Sequence, residues 1–294
     1  MRDYENAIEI HGLCKAYDGF AIKELNLTLP KGSIMGFVGQ NGAGKSTTIK
    51  SILNIVPPDQ GTISILAMDY KKEETSIKDR IAVVFDELPF HQQLNATQLD
   101  KILGGLYSQW DSSVFFTYLT RFSLPLKKNF GKFSKGMKMK LQIAAALSHN
   151  AELLIMDEAT AGLDPVVRSE MLDVFLEYIQ NENHSILMSS HITSDLERIA
   201  DSITFIHDGT LLLTGYKDDI LAEHGLMKCS KELAHTLASE DIVSIRYHDF
   251  GAEVMVRQPK EWQKIYPDCK IDSTSLDEIL LFYVRGLSKK EWTS

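Results

Sequence analysis

The segment Gly39-Gln40-Asn41-Gly42-Ala43-Gly44-Lys45-Ser46 places glycines, a lysine and a hydroxyl at the spacing G-x-x-x-x-G-K-[ST]. Glycines let a backbone wrap closely around phosphate oxygens and offer its N–H groups as a nest at the start of a helix. In that arrangement Gly39, Asn41, Gly42, Ala43, Gly44 and Thr47 line the phosphates. Lys45 sets an ammonium between the β- and γ-phosphates, and the Ser46 hydroxyl ligates Mg²⁺. The expected ligand is a nucleoside triphosphate with its magnesium.

A phosphate loop alone does not separate a kinase, a GTPase and a motor. A second cluster narrows the choice: Leu153-Leu154-Ile155-Met156-Asp157-Glu158 is an apolar strand ending in two carboxylates. Asp157 is placed to hold Mg²⁺ from the side opposite Ser46. Neighbouring residues of a strand point to opposite faces, so Glu158 cannot duplicate Asp157. Where the strand opens into its loop, Glu158 can polarise an attacking water beside the γ-phosphate. Ser189-Ser190-His191 ends another apolar run, and His191 can donate a hydrogen bond there and help orient the water.

These groups need strands to carry them. Ala7-Ile8-Glu9-Ile10 and Ala21 to Leu29 alternate in polarity and predict two half-exposed strands, the second broken by Pro30-Lys31-Gly32. Ile34 to Val38 predicts a buried strand feeding the glycine loop, with a helix over Thr47 to Leu53. Further strands are expected over Gly61 to Ala67, Ala151 to Met156 and Ser185 to Ser189, with a hairpin over Ile203 to Leu213 turning at Asp208-Gly209. Leu88 to Phe130 reads as helical and aromatic, and Lys138 to Leu147 as a helix. Alternating strands and helices predict an α/β core with a mainly parallel sheet.

Beyond about Gly215 the composition changes. Asp241 to Arg257 alternates around a turn at Asp249-Phe250-Gly251, and a helix starts at Ser275 with Glu278 completing a capping box. The expected division is a nucleotide-binding domain over 1–216, its helical subdomain over about 88–140, and a small α+β appendage over 217–294.

The 294 residues are 44% apolar and 24% charged, which supplies a core and excludes disorder and coiled-coil rods. Net charge is −9, against a chain that grips nucleic acid over its whole surface. Cys14, Cys229 and Cys269 lie too far apart in sequence for a disulfide frame or zinc site and are read as reduced thiols. The charged opening predicts no signal peptide. The longest apolar run, Ile279 to Val284, is six residues, far short of the roughly 20 that a spanning helix needs. Any membrane span is expected from another chain.

In this order the motifs resemble the ATP-binding subunit of an ABC transporter. Gly39 to Ser46 resembles Walker A, Leu153 to Glu158 resembles Walker B with its catalytic glutamate, and His191 resembles the switch histidine. Ala161-Gly162-Leu163-Asp164 resembles the D-loop, which in the family crosses a dimer interface. Phe133-Ser134-Lys135-Gly136-Met137 lies about 20 residues before the Walker B acids, at the family's LSGGQ signature. Tyr17 falls where an aromatic stacks on adenine. The resemblance covers roughly residues 7 to 215. It implies a P-loop ABC-type nucleotide-binding domain with a mixed sheet core, an antiparallel β subdomain and a helical subdomain. It further implies ATP and Mg²⁺ clamped between two subunits, as a homodimer or with a sister ATPase. In that scheme Ser134, Lys135 and Gly136 face phosphate across the interface.

Two motifs depart from the family pattern. Lys135 replaces a signature glycine, Met137 replaces the glutamine, and Asp86 stands at the Q-loop glutamine. Lys135 either adds charge near phosphate or points into solvent. Asp86 is expected to reach Mg²⁺ and couple it to the helical region. The signature variant and Ser189 to Glu197 most resemble ATPases of bacterial multidrug and antimicrobial-peptide exporters, the phenol-soluble modulin exporters among them. That likeness implies a separate ABC-2 type permease and a peripheral location on the cytoplasmic side of the bacterial membrane. Two rivals compete with this reading. One is a soluble ATPase on nucleic acid or the ribosome, disfavoured by the acidic balance and the short span of about 90 residues between Lys45 and Ser134. The other is a nucleotide-dependent module with little hydrolysis, opposed by Glu158 and His191.

Overall fold

A computed structural model describes residues 5–237 and 240–285. The outer ends of the expected 1–216 and 217–294 units lie outside that range. The chain opens with β1 (Asn6–Tyr17) and β2 (Phe20–Pro30), which alternate buried and exposed side chains and pair antiparallel. β3 (Ile34–Val38) is buried throughout and leads through the glycine loop into α1 (Lys45–Ile52). β4 (Gln60–Ile65) returns to β1, giving a three-stranded antiparallel sheet β2-β1-β4.

The helix α2 (Tyr70–Arg80) connects to β5 (Ile81–Phe85). The expected helical stretch resolves into α3 (Ala96–Gly104) and α4 (Ser112–Arg121). Residues 88–95 and 122–129 are turns and coil, as Pro89, Ser123 (φ 54°) and Pro125 dictate. Asn95 and Gln98 form a capping box on α3, and the Asp111 carboxylate caps α4. Phe115 is buried, while Tyr107, Trp110, Phe116 and Tyr118 pack half-buried against the core. These aromatics hold the helical region to the sheet.

Then come α5 (Lys135–Ala146), β6 (Leu153–Asp157), α6 (Pro165–Tyr178), β7 (Ser185–Ser190), α7 (Thr193–Ile199), β8 (Ser202–His207) and β9 (Thr210–Tyr216). The main sheet runs β5-β6-β7-β3-β8-β9, parallel except for the antiparallel β8–β9 hairpin. β3, β6 and β7 are buried at every position, as parallel strands covered on both faces must be. Their carboxyl ends carry the glycine loop, the two acids and the histidine to one edge of the sheet, the edge where ligands of such sheets bind.

The C-terminal part follows as α8 (Lys217–Glu223), β10 (His224–Cys229), α9 (Lys231–Thr236), β11 (Ile242–His248), β12 (Gly251–Arg257), α10 (Pro259–Ile265), β13 (Lys270–Ser273) and α11 (Leu276–Arg285). Its antiparallel sheet runs β11-β12-β10-β13. Met227, Ile245, Val254, Val256 and Trp262 form a core of its own. Leu226, Met255, Leu276 and Phe282 instead join the main core, and the Leu276 N–H donates to Glu197 Oε1 on α7 at 2.6 Å. The appendage is therefore packed onto the sheet's helices. Cys229 and Cys269 extend the Lys228–Lys270 register across β10 and β13, so two thiols distant in sequence become neighbours. All three cysteines are free, and burial pushes the Cys229 thiol up to about 11.

Candidate active site

The loop between β3 and α1 is held by glycines for two distinct reasons. At Gly39 a Cβ would lie 2.5 Å from the Ile206 carbonyl oxygen, so only hydrogen fits against β8. Gly44 takes φ 117° at the N-cap of α1, a conformation L side chains rarely adopt. Ala43 is buried, Asn41, Gly42 and Ser46 are exposed, and Thr47 is half-buried. A cavity of about 540 Å³ opens beside the loop, lined by Gly19, Phe20, Gln40, Asn41, Gly42, Gly44, Lys45, Ser46, Thr47 and Glu158.

Lys45 is 5% exposed, and its Nζ donates to the carbonyls of Gly39 (2.6 Å) and Gln40 (3.2 Å). The same Nζ lies 3.0 Å from Glu158 Oε1. A buried ammonium needs acceptors on every side. Two loop carbonyls accept from it, and the Glu158 carboxylate stands beside it as an ion-pair partner.

Asp157 closes β6 and is nearly buried, its Oδ1 accepting from Ser189 Oγ at 2.7 Å. Glu158 follows in left-handed backbone, φ 55°. Such a conformation costs a non-glycine residue about 1–3 kcal/mol. Here the Glu158 N–H is tied to the Ser189 carbonyl (3.2 Å) and Ser189 Oγ (3.1 Å). That kink breaks the strand alternation and turns Glu158 toward Lys45. Its other oxygen, Oε2, accepts from His191 Nδ1 at 2.6 Å and from the His191 N–H at 3.4 Å. A carboxylate oxygen only accepts, so Nδ1 carries the hydrogen of this pair. Ser46 and Asp157 offer hard oxygen donors that suit Mg²⁺. Among the described residues no group of three or more His, Cys, Asp or Glu gathers as a self-standing metal site. Magnesium commonly fills its remaining positions with phosphate oxygens and water.

Ser134 is the N-cap of α5, its Oγ accepting from the Met137 N–H at 3.3 Å. Asp164 caps α6, accepting from the Val166 and Val167 N–H groups at 3.1 Å each. A Cβ on Gly136 would sit 3.7 Å from Val167, so its want of a side chain is not imposed by packing within the chain. Lys135 stands next to Asp86, with Nζ 2.6 Å from Asp86 Oδ1. Tyr17 is 47% exposed at the end of β1, outside the cavity lining, with Lys15 Nζ 5.8 Å from its ring centroid. Lys15 also pairs with Asp59 at 2.8 Å and, through that hydrogen bond, holds the Asp59 carboxyl below its ordinary range.

Over residues 22–161 the chain matches the family model described as ABC transporter. It is 33% identical to the ABC transporter ATP-binding protein NatA of Bacillus subtilis, over 66% of this chain and 81% of that protein. The chain belongs to the ATP-binding subunits of ABC transporters. The bacitracin transport ATP-binding protein BcrA of Enterococcus faecalis is 36% identical over 72% of this chain and 70% of its own length. The lantibiotic transport ATP-binding protein SrtF of Streptococcus pyogenes is 32% identical over 70% and 89%. Among solved structures, one described as the ATP-binding subunit of an ABC transporter superposes with TM-score 0.67 at 28% identity, covering 73% of this chain and 91% of that one.

Three residues of this ATPase subunit's site escaped the sequence reading. Phe20 lines the cavity where Tyr17 was expected, and only the Asp18-Gly19 turn hinted that β2 starts there. Ser189 ties Asp157 to the Glu158 backbone, a role carried by a strand-end serine without any motif. Gln142 is 3% exposed and its amide clasps Phe85, accepting from the Phe85 N–H (3.3 Å) and donating to the Phe85 carbonyl (3.1 Å). β5 is the edge of the main sheet, so these backbone groups had no strand to pair with.

Proposed function

We propose that the chain hydrolyses ATP to drive a separate membrane permease, of the ABC-2 type, that exports peptides or drugs. The observation that carries the reading is the Lys45–Glu158–His191 chain of contacts at the mouth of the glycine-loop cavity. Relatives with similar sequences are described as bacitracin and lantibiotic transport proteins, which supports export of antimicrobial peptides.

In this reading the loop N–H groups and Lys45 hold the triphosphate, while Ser46 and Asp157 hold Mg²⁺, which would supply positive charge to the phosphate oxygens. Asp86 is offered as a third, switchable contact to the metal. Tyr17 and Phe20 face the base. Glu158, oriented by the His191 Nδ1–H, polarises the attacking water, and His191 follows the γ-phosphate. Ser134, Lys135 and Gly136 of one subunit meet the nucleotide of a second, identical or sister, with Asp164 at the interface. Residues 217–294 serve as an accessory domain to the ATP-binding domain over 1–216.

Among the described residues no helix is long and apolar enough to cross a membrane. A groove of about 890 Å³ between α2, β5 and the end of α3 supports docking of a permease segment. Phe85 and Tyr107 line it, and Ile55 (58% exposed) and Leu106 (70%) stand at it. Such docking would seat the chain peripherally on the cytoplasmic face of the bacterial membrane. The test is magnesium-dependent ATP hydrolysis by the purified chain with its co-expressed permease. Turnover that Glu158→Gln leaves unchanged would remove the reading.

A further inference from the structure

The two departures from the family pattern meet each other. Lys135 is the first residue of α5 and Asp86 the first residue after β5, and their charged atoms lie 2.6 Å apart with the side chains 47% and 50% exposed. One residue further in, the buried Gln142–Phe85 amide clasp joins the same helix to the same strand. α5 is thus tied to β5 at two points of different character. The clasp is double and part-buried, and opening it strands a backbone N–H and C=O. The ion pair is half-exposed and weakened by the water around it.

The N-terminal turn of α5 holds no acid and carries Lys135 and Lys138, although a helix N-terminus is itself positive. The acid that pairs with this cation comes from outside the helix, at Asp86. Lys135 also lies along the D-loop: a Cβ on Gly162 (φ 70°) would sit 3.2 Å from its Nζ. Lys135, on the signature helix, therefore reaches the Q-loop position at Asp86 and lies beside the D-loop at Gly162.

We infer that Asp86–Lys135 is an exchangeable lock, with Gln142–Phe85 as its fixed pivot. In the nucleotide-free chain Asp86 neutralises Lys135. When two loaded subunits close, the phosphate held by the partner takes over Lys135, and Asp86 is released toward its own site. Occupancy of one nucleotide site is so reported to the other by a change of ion-pair partner. This rests on the ATPase reading above.

The test compares wild type, Asp86→Gln and Lys135→Gln, each in a Glu158→Gln background. The ATP concentration giving half-maximal dimer is measured by light scattering with Mg²⁺ at low and high salt. Asp86→Gln keeps a carbonyl oxygen for a metal but frees Lys135. It should lower the midpoint two- to fivefold, the span an exposed ion pair allows. Lys135→Gln loses lock and phosphate contact together, and its midpoint should not fall. Hydrogen exchange at residues 86–88 should rise when Mg-ATP is added to the Glu158→Gln chain and already be high in Asp86→Gln, while residues 134–136 become protected as the dimer closes. Equal shifts in the two variants, or an unmoved midpoint in Asp86→Gln, overturn the lock. A chain that binds no ATP and never dimerises overturns the ATPase reading instead.

Discussion

Lys45 Nζ and Glu158 Oε1 form an ion pair of 3.0 Å across the mouth of the glycine loop, with 5% and 18% of the two side chains exposed. Triphosphate and carboxylate therefore compete for one ammonium. Glu158→Gln removes the competing charge as well as the carboxylate proposed to polarise the water. Turnover is expected to fall at least 10²-fold, in line with the loss of a general base, while ATP binds several-fold tighter. Single-turnover hydrolysis and equilibrium binding of labelled ATP check the two halves separately.

His191 Nδ1 lies 2.6 Å from Glu158 Oε2. With His191→Ala the carboxylate loses its orienting donor but keeps Lys45. We expect kcat to drop tenfold or more, with KM for ATP changed much less. A variant with unchanged kcat would place His191 outside the reaction.

The Gln142 side chain is buried, and its amide oxygen accepts from the Phe85 N–H at 3.3 Å. Gln142→Leu fills the space yet strands two backbone polar groups, at about 1–3 kcal/mol each. Melting followed by circular dichroism should show a Tm several degrees lower. An unmoved Tm would mean that water replaces the clasp.

At the groove, Leu106→Glu puts a charge on a side chain that is 70% exposed and lines the wall. Co-purification with the permease from detergent extract should be lost, with the circular-dichroism spectrum kept. Retained permease would move the docking surface elsewhere.

His149 and His224 are buried and His184 is half-buried, and desolvation pushes each imidazole below its ordinary value. Their unfolded forms, near 6.5, bind protons first as pH falls. The unfolded state then holds more protons than the folded one, so stability is complete above about pH 6.5 and declines below it. His149 bonds the Ile81 carbonyl at 3.1 Å and stacks on Tyr107. His149→Gln keeps a donor for that carbonyl, and it should flatten the fall in Tm between pH 7 and 5.5.

The glycine loop and the acid pair were readable because each lies within eight consecutive residues, and local backbone geometry needs no distant partner. The buried strands were readable for a similar reason. A strand covered on both faces must be apolar throughout, as Ile34–Val38 is. The helical region was legible as composition only: Pro89 bounds it on one side and the left-handed Ser123 on the other, while the Gly105 C-cap of α3 and the Asp111 N-cap of α4 divide it.

Distance in sequence hid the rest. Lys45 and Glu158 are brought together by the parallel order β6-β7-β3, which no local pattern encodes. Asp86 and Lys135 read as two separate departures until α5 was seated against the sheet edge, where one charge answers the other. Phosphate chemistry was thus written in residue type and spacing, because a nest is made from contiguous backbone. The partner of each charge was settled by tertiary packing, because Coulomb attraction depends on separation in space and takes no account of position along the chain.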